Sequence, residues 1–94
     1  MKYKEILTNL GLSEAESAIY LAALELGECL PAHLAEKAGI KRPLLYKLLP
    51  DLFKKDLLLE TYKGKRRYLV AEDPAEIIEK KQTELKLLEE KIPE

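Results

Sequence analysis

The sequence predicts a mainly α-helical domain with one small β-hairpin, followed by a further C-terminal helix. Apolar side chains recur three and four residues apart over residues 3–55, as they do in amphipathic helices. Residues 57–70 change to a period of two around a lysine-glycine turn, which is typical of two short strands. The helical spacing then returns after Asp73. The length of 94 residues fits one domain with an appended element.

Two helices are predicted in the N-terminal part of the chain. The first covers residues 3–10 and ends at Gly11. Ser13 and Glu16 then have the spacing of a capping box, in which each side chain accepts a hydrogen bond from the backbone N–H of the other residue. This signal opens a longer helix over residues 14–26, which a glycine ends.

A helix-turn-helix pair is predicted next. Pro31 suits the first position of a short helix over residues 31–38, although Leu30 is a poor N-cap. Gly39 begins a three-residue turn, and a longer helix follows over residues 42–55. The apolar face of this second helix consists of four leucines: Leu45, Leu48, Leu49 and Leu52. In such a pair the second helix enters the major groove of DNA, while the first crosses the backbone.

A hairpin and a last helix complete the predicted arrangement. The two strands turn at Lys63-Gly64, and a basic wing covers residues 62–68. Asp73 and Glu76 again have capping-box spacing, so we expect a charged helix to begin there. The last three of the helices before the hairpin, together with the hairpin and its basic tip, form a winged helix-turn-helix.

The charge distribution indicates a polyanionic partner. The net charge is −1, but residues 41–67 hold nine basic and three acidic residues, a net charge of +6. The segments before and after them, residues 1–40 and 68–94, carry −3 and −4. A basic segment between acidic flanks is typical of a DNA-binding face, although solvated surface charges give the same pattern without a partner.

The candidate DNA-binding residues lie on the second helix of the pair and on the wing. Arg42 is the best candidate for a bidentate contact with guanine, and Leu44 or Pro43 could touch a thymine methyl group. Tyr46 either lies in the core or gives its hydroxyl to a phosphate. We expect phosphate contacts to dominate. The residues expected to contact double-stranded DNA are Lys41, Arg42, Leu44, Tyr46, Lys47, Lys63, Lys65, Arg66 and Arg67.

Pro50 lies inside this second helix, where proline normally costs about 3 kcal/mol. It falls opposite the leucine face, so we expect it to point outward, where a bend disturbs little packing. The outward face is poor in hydrogen-bonding groups. A second hypothesis is therefore a winged-helix interaction module with little DNA affinity, which docks a protein on Pro43, Leu44 and Pro50.

The C-terminal helix carries an apolar seam at heptad-like spacing. Its members are Ile78, Leu85, Leu88 and Ile92. Since a core of this size cannot bury all four, we expect a homodimer through this seam, the alternative being a solvated arm. The predicted organisation is a winged helix-turn-helix domain over residues 1–72 and a dimerisation helix over residues 73–94.

Three segments carry a specific joint spacing: LGLSEAESAIYLAAL, AEKAGIKRPLLYKLLPDLFKKDLL and GKRRYLVAEDPAE. Together they resemble the N-terminal domain of the TrmB-like transcription regulators. The positions that match are Leu10, Gly11, Leu12, Ser13, Glu16, Tyr20, Gly39, Ile40, Arg42, Leu45, Tyr46, Leu52, Lys55, Leu57, Gly64, Arg67 and Tyr68. The resemblance implies a dimeric, DNA-binding transcription regulator with a winged helix-turn-helix. Family members commonly continue into a sugar-sensing domain, and we expect no such effector domain in this chain.

At three positions the sequence departs from the family pattern. Asp56 stands where a glycine is usual after the second helix of the pair, and Leu30 stands where a Thr or Ser cap is usual. Pro50 is the third departure.

Other function classes are not indicated by the sequence. The longest apolar run, residues 18–24, is far shorter than the ~18 residues that span a bilayer. Cys29 is the single cysteine, expected as a small apolar filler, and His33 has no second metal ligand within reach. No nucleophile with a base and no phosphate-binding glycine loop is present. We therefore expect a cytoplasmic protein that is not an enzyme, binds no cofactor or metal, and does not associate with membranes.

Overall fold

The computed structural model describes residues 11–91, so the helix predicted over residues 3–10 and the seam residue Ile92 lie outside the described part. The elements follow the predicted order: α1 (Glu14–Leu26), α2 (Pro31–Ala38), α3 (Arg42–Lys54), β1 (Leu58–Lys63), β2 (Arg66–Ala71) and α4 (Pro74–Lys91). The two strands pair antiparallel. This order confirms the predicted fold class, a mainly α-helical winged helix-turn-helix followed by a C-terminal helix.

Within residues 11–91, one hydrophobic core joins the helices to the hairpin. Each element sends at least one fully buried or nearly buried side chain into it: Ile19, Tyr20, Leu34, Leu45, Leu49, Leu52, Leu58, Leu69 and Ile77. The predicted leucine face of α3 is confirmed, with Leu48 partly buried at its edge. Because α3 packs its leucine face against the core, the opposite face of the helix points to solvent.

Local hydrogen bonds set the start of α1 as predicted. The Ser13 hydroxyl accepts from the Glu16 N–H at 3.1 Å, and the Glu16 carboxylate accepts from the Ser13 N–H at 3.1 Å. Leu30 supplies no side-chain cap to α2, in agreement with its assignment as a poor cap.

The start of α4 differs from the prediction in one detail. Asp73 does cap the helix, because its Oδ1 accepts from the Ala75 N–H at 2.8 Å. The Asp73 N–H, however, donates to Glu72 Oε1 at 3.1 Å, so the side chain of Glu72 fills the place predicted for Glu76. Glu72 directly precedes Asp73, so its side chain reaches the Asp73 N–H without spanning the first helical turn, a contact that capping-box spacing does not reveal.

The hairpin turn lies one residue later than predicted. Lys63 pairs with Arg66, so Gly64 and Lys65 form the two-residue turn and β2 begins at Arg66. Gly64 has φ of 65°, and a positive φ at the first turn residue is favoured by glycine. The register also buries Leu58 in the core, while Leu59 is exposed.

Cys29 forms an isolated antiparallel bridge with Leu69 of β2. Its N–H donates to the Leu69 carbonyl at 2.9 Å, and its carbonyl accepts from the Leu69 N–H at 2.7 Å. The thiol is buried, and this burial raises the pKa of Cys29. Cys29 is thus a small core residue under the wing, as predicted.

Candidate nucleic-acid interface

The exposed face of α3 carries the candidate reading residues. Arg42, Leu44, Tyr46 and Lys47 are all exposed on the first two turns of the helix. Tyr46 was predicted to lie either in the core or at the surface, and its exposure shows that it lies at the surface. Pro50 is also exposed, as its position opposite the leucine face predicted.

Two basic residues lie at the N-terminal end of α3. Lys41 occupies the N-cap and Arg42 the first helical position, and no side chain caps the helix there. Pro43 has no N–H, and the N–H groups of Leu44 and Leu45 donate to the Lys41 carbonyl. The helix dipole and the two basic side chains are therefore the features that favour an anion at this end.

Lys63 on the wing is paired within the chain. Its ammonium group forms an ion pair with the Glu28 carboxylate, from the segment just before Cys29. The same carboxylate lies 3.5 Å from the Thr61 hydroxyl, and the Lys63 ammonium lies 5.5 Å from the centre of the Tyr68 ring. The hydrogen bond to Glu28 raises the pKa of Lys63. The ion pair with Glu28 therefore connects the wing to the segment between α1 and α2.

Arg67 is also held by neighbouring side chains. Its Nε and Nη2 atoms each lie 2.7 Å from Glu60 Oε2 on the adjacent strand. Its guanidinium carbon is 5.7 Å from the centre of the Phe53 ring, so Arg67 also reaches α3. Among the predicted contact residues, Lys63 and Arg67 therefore have structural partners that the sequence did not indicate.

Unlike Lys63 and Arg67, the other basic residues of the predicted site have no side-chain partner among the described residues. Within residues 11–91, no ion pair or side-chain hydrogen bond engages Lys41, Arg42, Lys47, Lys65 or Arg66, and all five are exposed. We call them the five unpaired cations. They lie at the start of α3, on its exposed face and at the wing turn.

A partly buried ion pair fixes the other end of α3. Lys55, the C-cap residue of α3, donates to Glu16 at 3.0 and 3.2 Å. The Glu16 side chain is 8% exposed and that of Lys55 is 41% exposed. Burial acts to raise the pKa of Glu16, but the Ser13 N–H and Lys55 outweigh it, so the pKa lies below its ordinary value. Glu16, a member of the capping box of α1, thereby links α1 to the C-terminal end of α3.

Tyr20 ties α1 to the connection between the wing and α4. Its hydroxyl donates to the Glu72 carbonyl at 2.6 Å, and its ring is buried. Sequence reasoning gave Glu16 a role only in the capping box and gave none to Tyr20 or Lys55, although all three belong to the TrmB-like pattern. The signal that could have found them is an acidic residue and a tyrosine on the core-facing side of a helix, where both need a partner.

The C-terminal helix exposes two of the three seam residues that the structure describes. Leu85 and Leu88 are 60% and 57% exposed, and their neighbour Leu87 is exposed as well. Ile77, not Ile78, is the residue of the first turn of α4 that lies in the core. Ile78 beside it is only partly buried.

Two further findings concern the described residues. No helix within residues 11–91 combines the length and the low charge that a membrane span requires. In the same range, no cluster of three His, Cys, Asp or Glu side chains could hold a metal ion, and His33 is exposed on α2.

The chain is similar in sequence and in fold to known transcriptional regulators and DNA-binding proteins. The model of the family described as "Sugar-specific transcriptional regulator TrmB" matches residues 7–75. The fold is similar to that of TrmBL2, an archaeal chromatin protein whose structure shows a novel mode of DNA binding. The TM-score is 0.75 and the identity 26%, over 95% of this chain and 35% of that chain. This chain thus spans about a third of the length of TrmBL2.

Two further transcriptional regulators share the fold at lower identity. Transcriptional regulator PA4135 gives a TM-score of 0.63 at 17% identity, over 97% of this chain and 87% of that chain. The MarR family transcriptional regulator SPO1453 from Silicibacter pomeroyi DSS-3 gives 0.61 at 11% identity, over 96% and 70%. No curated protein matches the chain.

Proposed function

Because the chain belongs to the TrmB family of transcriptional regulators, we propose that it binds double-stranded DNA as a homodimer, with α3 in the major groove and the wing on the sugar-phosphate backbone. The observation that carries this proposal is the set of five unpaired cations. Their side chains are free to replace the counterions of phosphate groups, which is the main source of affinity in protein–DNA binding.

The cations have the distribution that such a complex needs. Lys41 and Arg42 lie at the start of α3, the end that contacts base edges in a helix-turn-helix. Lys65 and Arg66 lie at the wing turn, about where the backbone beside the groove would pass. Lys63 contacts Glu28, and Arg67 contacts Glu60 within the hairpin and Phe53 on α3. These contacts support the positions of Lys65 and Arg66 at the wing turn.

Homodimerisation through α4 is the second part of the proposal. Leu85 and Leu88 present large aliphatic surfaces on an otherwise charged helix, and a second copy of the same seam would cover them. Two-fold pairing would also present two copies of α3 to successive major grooves, which lie roughly 34 Å apart.

The interaction module remains the competing function, and one observation favours it. Pro43, Leu44 and Pro50 are exposed on the face of α3 that would read DNA. A protein-docking face does not require unpaired cations on both sides, however, and this favours DNA as the ligand.

Binding of the full chain to a fluorescently labelled duplex of about 30 base pairs, followed by anisotropy, tests the proposal. We expect binding at ~50 mM salt that weakens steeply towards ~200 mM. Lys65→Ala should weaken binding, while Lys80→Ala, at an exposed lysine on α4, serves as the matched control and should not. Absence of binding to any duplex at ~50 mM salt would contradict the proposal and favour the interaction module.

A further inference from the structure

The reading face of α3 is unusually apolar for a surface proposed to enter DNA. Pro43 and Leu44 occupy its first turn, and Pro50 lies two turns further along the exposed side. Leu44 is 40% exposed and is not part of the hydrophobic core.

The chemistry of the major groove gives such a face one specific target. Each base pair presents hydrogen-bonding groups there, but thymine alone adds an apolar group, its C5 methyl. Leucine and proline cannot donate to guanine or adenine, whereas both can cover a methyl group. Among the exposed residues of α3, Arg42 and Lys47 can donate to guanine, and Asp51 can accept from cytosine.

We propose that Leu44 is a specificity-determining residue that packs against thymine methyl groups, so that the preferred ligand is duplex DNA with thymines facing the first turn of α3. This inference rests on the proposed DNA-binding function. The occupant of the apolar face is identified as DNA by charge complementarity. Lys41, Arg42 and Lys47 surround Leu44 with unpaired positive charge, which a polyanion satisfies.

In this arrangement, the cations of α3 and Leu44 contribute to DNA binding in different ways. The cations around Leu44 bind phosphates of any sequence and set the depth of the helix in the groove. Leu44 then adds a contact that only a C5-methylated pyrimidine provides. Burial of one methyl group contributes ~0.8 kcal/mol, which corresponds to about a fourfold change in affinity. If both copies of a dimer make the contact, the combined change is roughly 15-fold.

Replacement of thymine by deoxyuridine tests the inference, since it removes the C5 methyl and keeps the base pairing. The probe is an A·T-rich duplex of about 30 base pairs, compared with its fully deoxyuridine-substituted counterpart. The full chain should bind the thymine duplex about four- to 15-fold more tightly at ~50 mM salt. In a second pair of G·C-rich duplexes, 5-methylcytosine should strengthen binding relative to cytosine.

Two leucine variants locate the effect. Leu44→Ala should bind the thymine and deoxyuridine duplexes equally, because the group that senses the methyl is gone. Leu59→Ala is the matched control, since Leu59 is 44% exposed but lies on β1. It should keep the full preference for thymine. Circular dichroism checks that both variants are folded.

Each outcome decides a different point. Equal binding of both duplexes by the unmodified chain would overturn the inference and leave the DNA-binding function standing. A thymine preference that survives in Leu44→Ala, or that is lost in Leu59→Ala, would remove the role from Leu44. No binding to any of the four duplexes would overturn the inference together with the proposed function.

Discussion

Replacing Glu16 by glutamine should lower the free energy of unfolding by about 1–2 kcal/mol at neutral pH. The carboxylate is nearly buried and accepts two hydrogen bonds from Lys55 and one from the Ser13 N–H. Glutamine keeps an oxygen for Ser13 but loses the charge that faces Lys55. Because Lys55 is 41% exposed, water solvates its ammonium group after the change, which keeps the loss at the lower end for a charged hydrogen bond.

The same substitution should remove part of the pH dependence of stability. The pKa of Glu16 is lower in the folded chain than its ordinary value of 4.5, so the folded state binds the proton less readily than the unfolded state. Its stabilisation is therefore fully present above that ordinary value and is lost as the pH falls through the lower, folded value. The difference between the unmodified chain and Glu16→Gln should shrink accordingly on acidification.

Urea unfolding followed by circular dichroism, at pH 7 and at about pH 3, measures both effects. Glu14→Gln is the matched control, because Glu14 lies exposed on the same first turn of α1. Its replacement should cost at most a few tenths of a kcal/mol, as expected for a charge near a helix N-terminus. Equal stability of Glu16→Gln and the unmodified chain at pH 7, or a difference that is just as large at about pH 3 as at pH 7, would refute the assigned role.

Three further predictions concern backbone strain and assembly. Asp56 has φ of 58°, the one positive value outside glycine within residues 11–91, so Asp56→Gly should add about 0.5–1 kcal/mol in urea unfolding. Asp56→Asn controls for the lost charge, and an equal gain in both variants would contradict strain as the cause. Pro50→Ala restores a helix N–H at an exposed position and should leave stability level or raise it; a loss above ~1 kcal/mol would show that packing needs the proline. Leu85→Lys combined with Leu88→Lys should convert a dimer into a folded monomer by light scattering at ~100 μM, and a dimeric double variant would exclude α4 as the interface.

The parts of the fold that could be predicted are those that short-range patterns determine. The Ser13–Glu16 capping box and the leucine face of α3 depend on residues within two turns of each other. The order of elements followed from the same kind of evidence. Asp56 was recognised as a departure from a glycine position, and its positive φ explains why glycine is usual there.

The parts that could not be predicted depend on contacts between distant residues. Glu28 and Lys63 are far apart in sequence, and only the fold brings the acid to the wing. The choice of Ile77 over Ile78 as the core residue of α4 depends on the direction in which the chain leaves β2, which Tyr20 and Glu72 fix. Adjacent isoleucines give no local signal for that choice. For the same reason the sequence could not separate Arg67 from Arg66.

The most direct measurement for the proposed function compares the salt dependence of DNA binding in Arg66→Ala and Arg67→Ala. Arg66 has no ion pair among the described residues, whereas Arg67 is held by Glu60 and Phe53. We expect Arg66→Ala to flatten the slope of log K against log salt by about 0.9 per protomer, at unchanged stability. Arg67→Ala should keep the slope and lower the stability of the domain. Equal flattening by both variants, or by neither, would contradict the assignment of the unpaired cations as the DNA-binding groups.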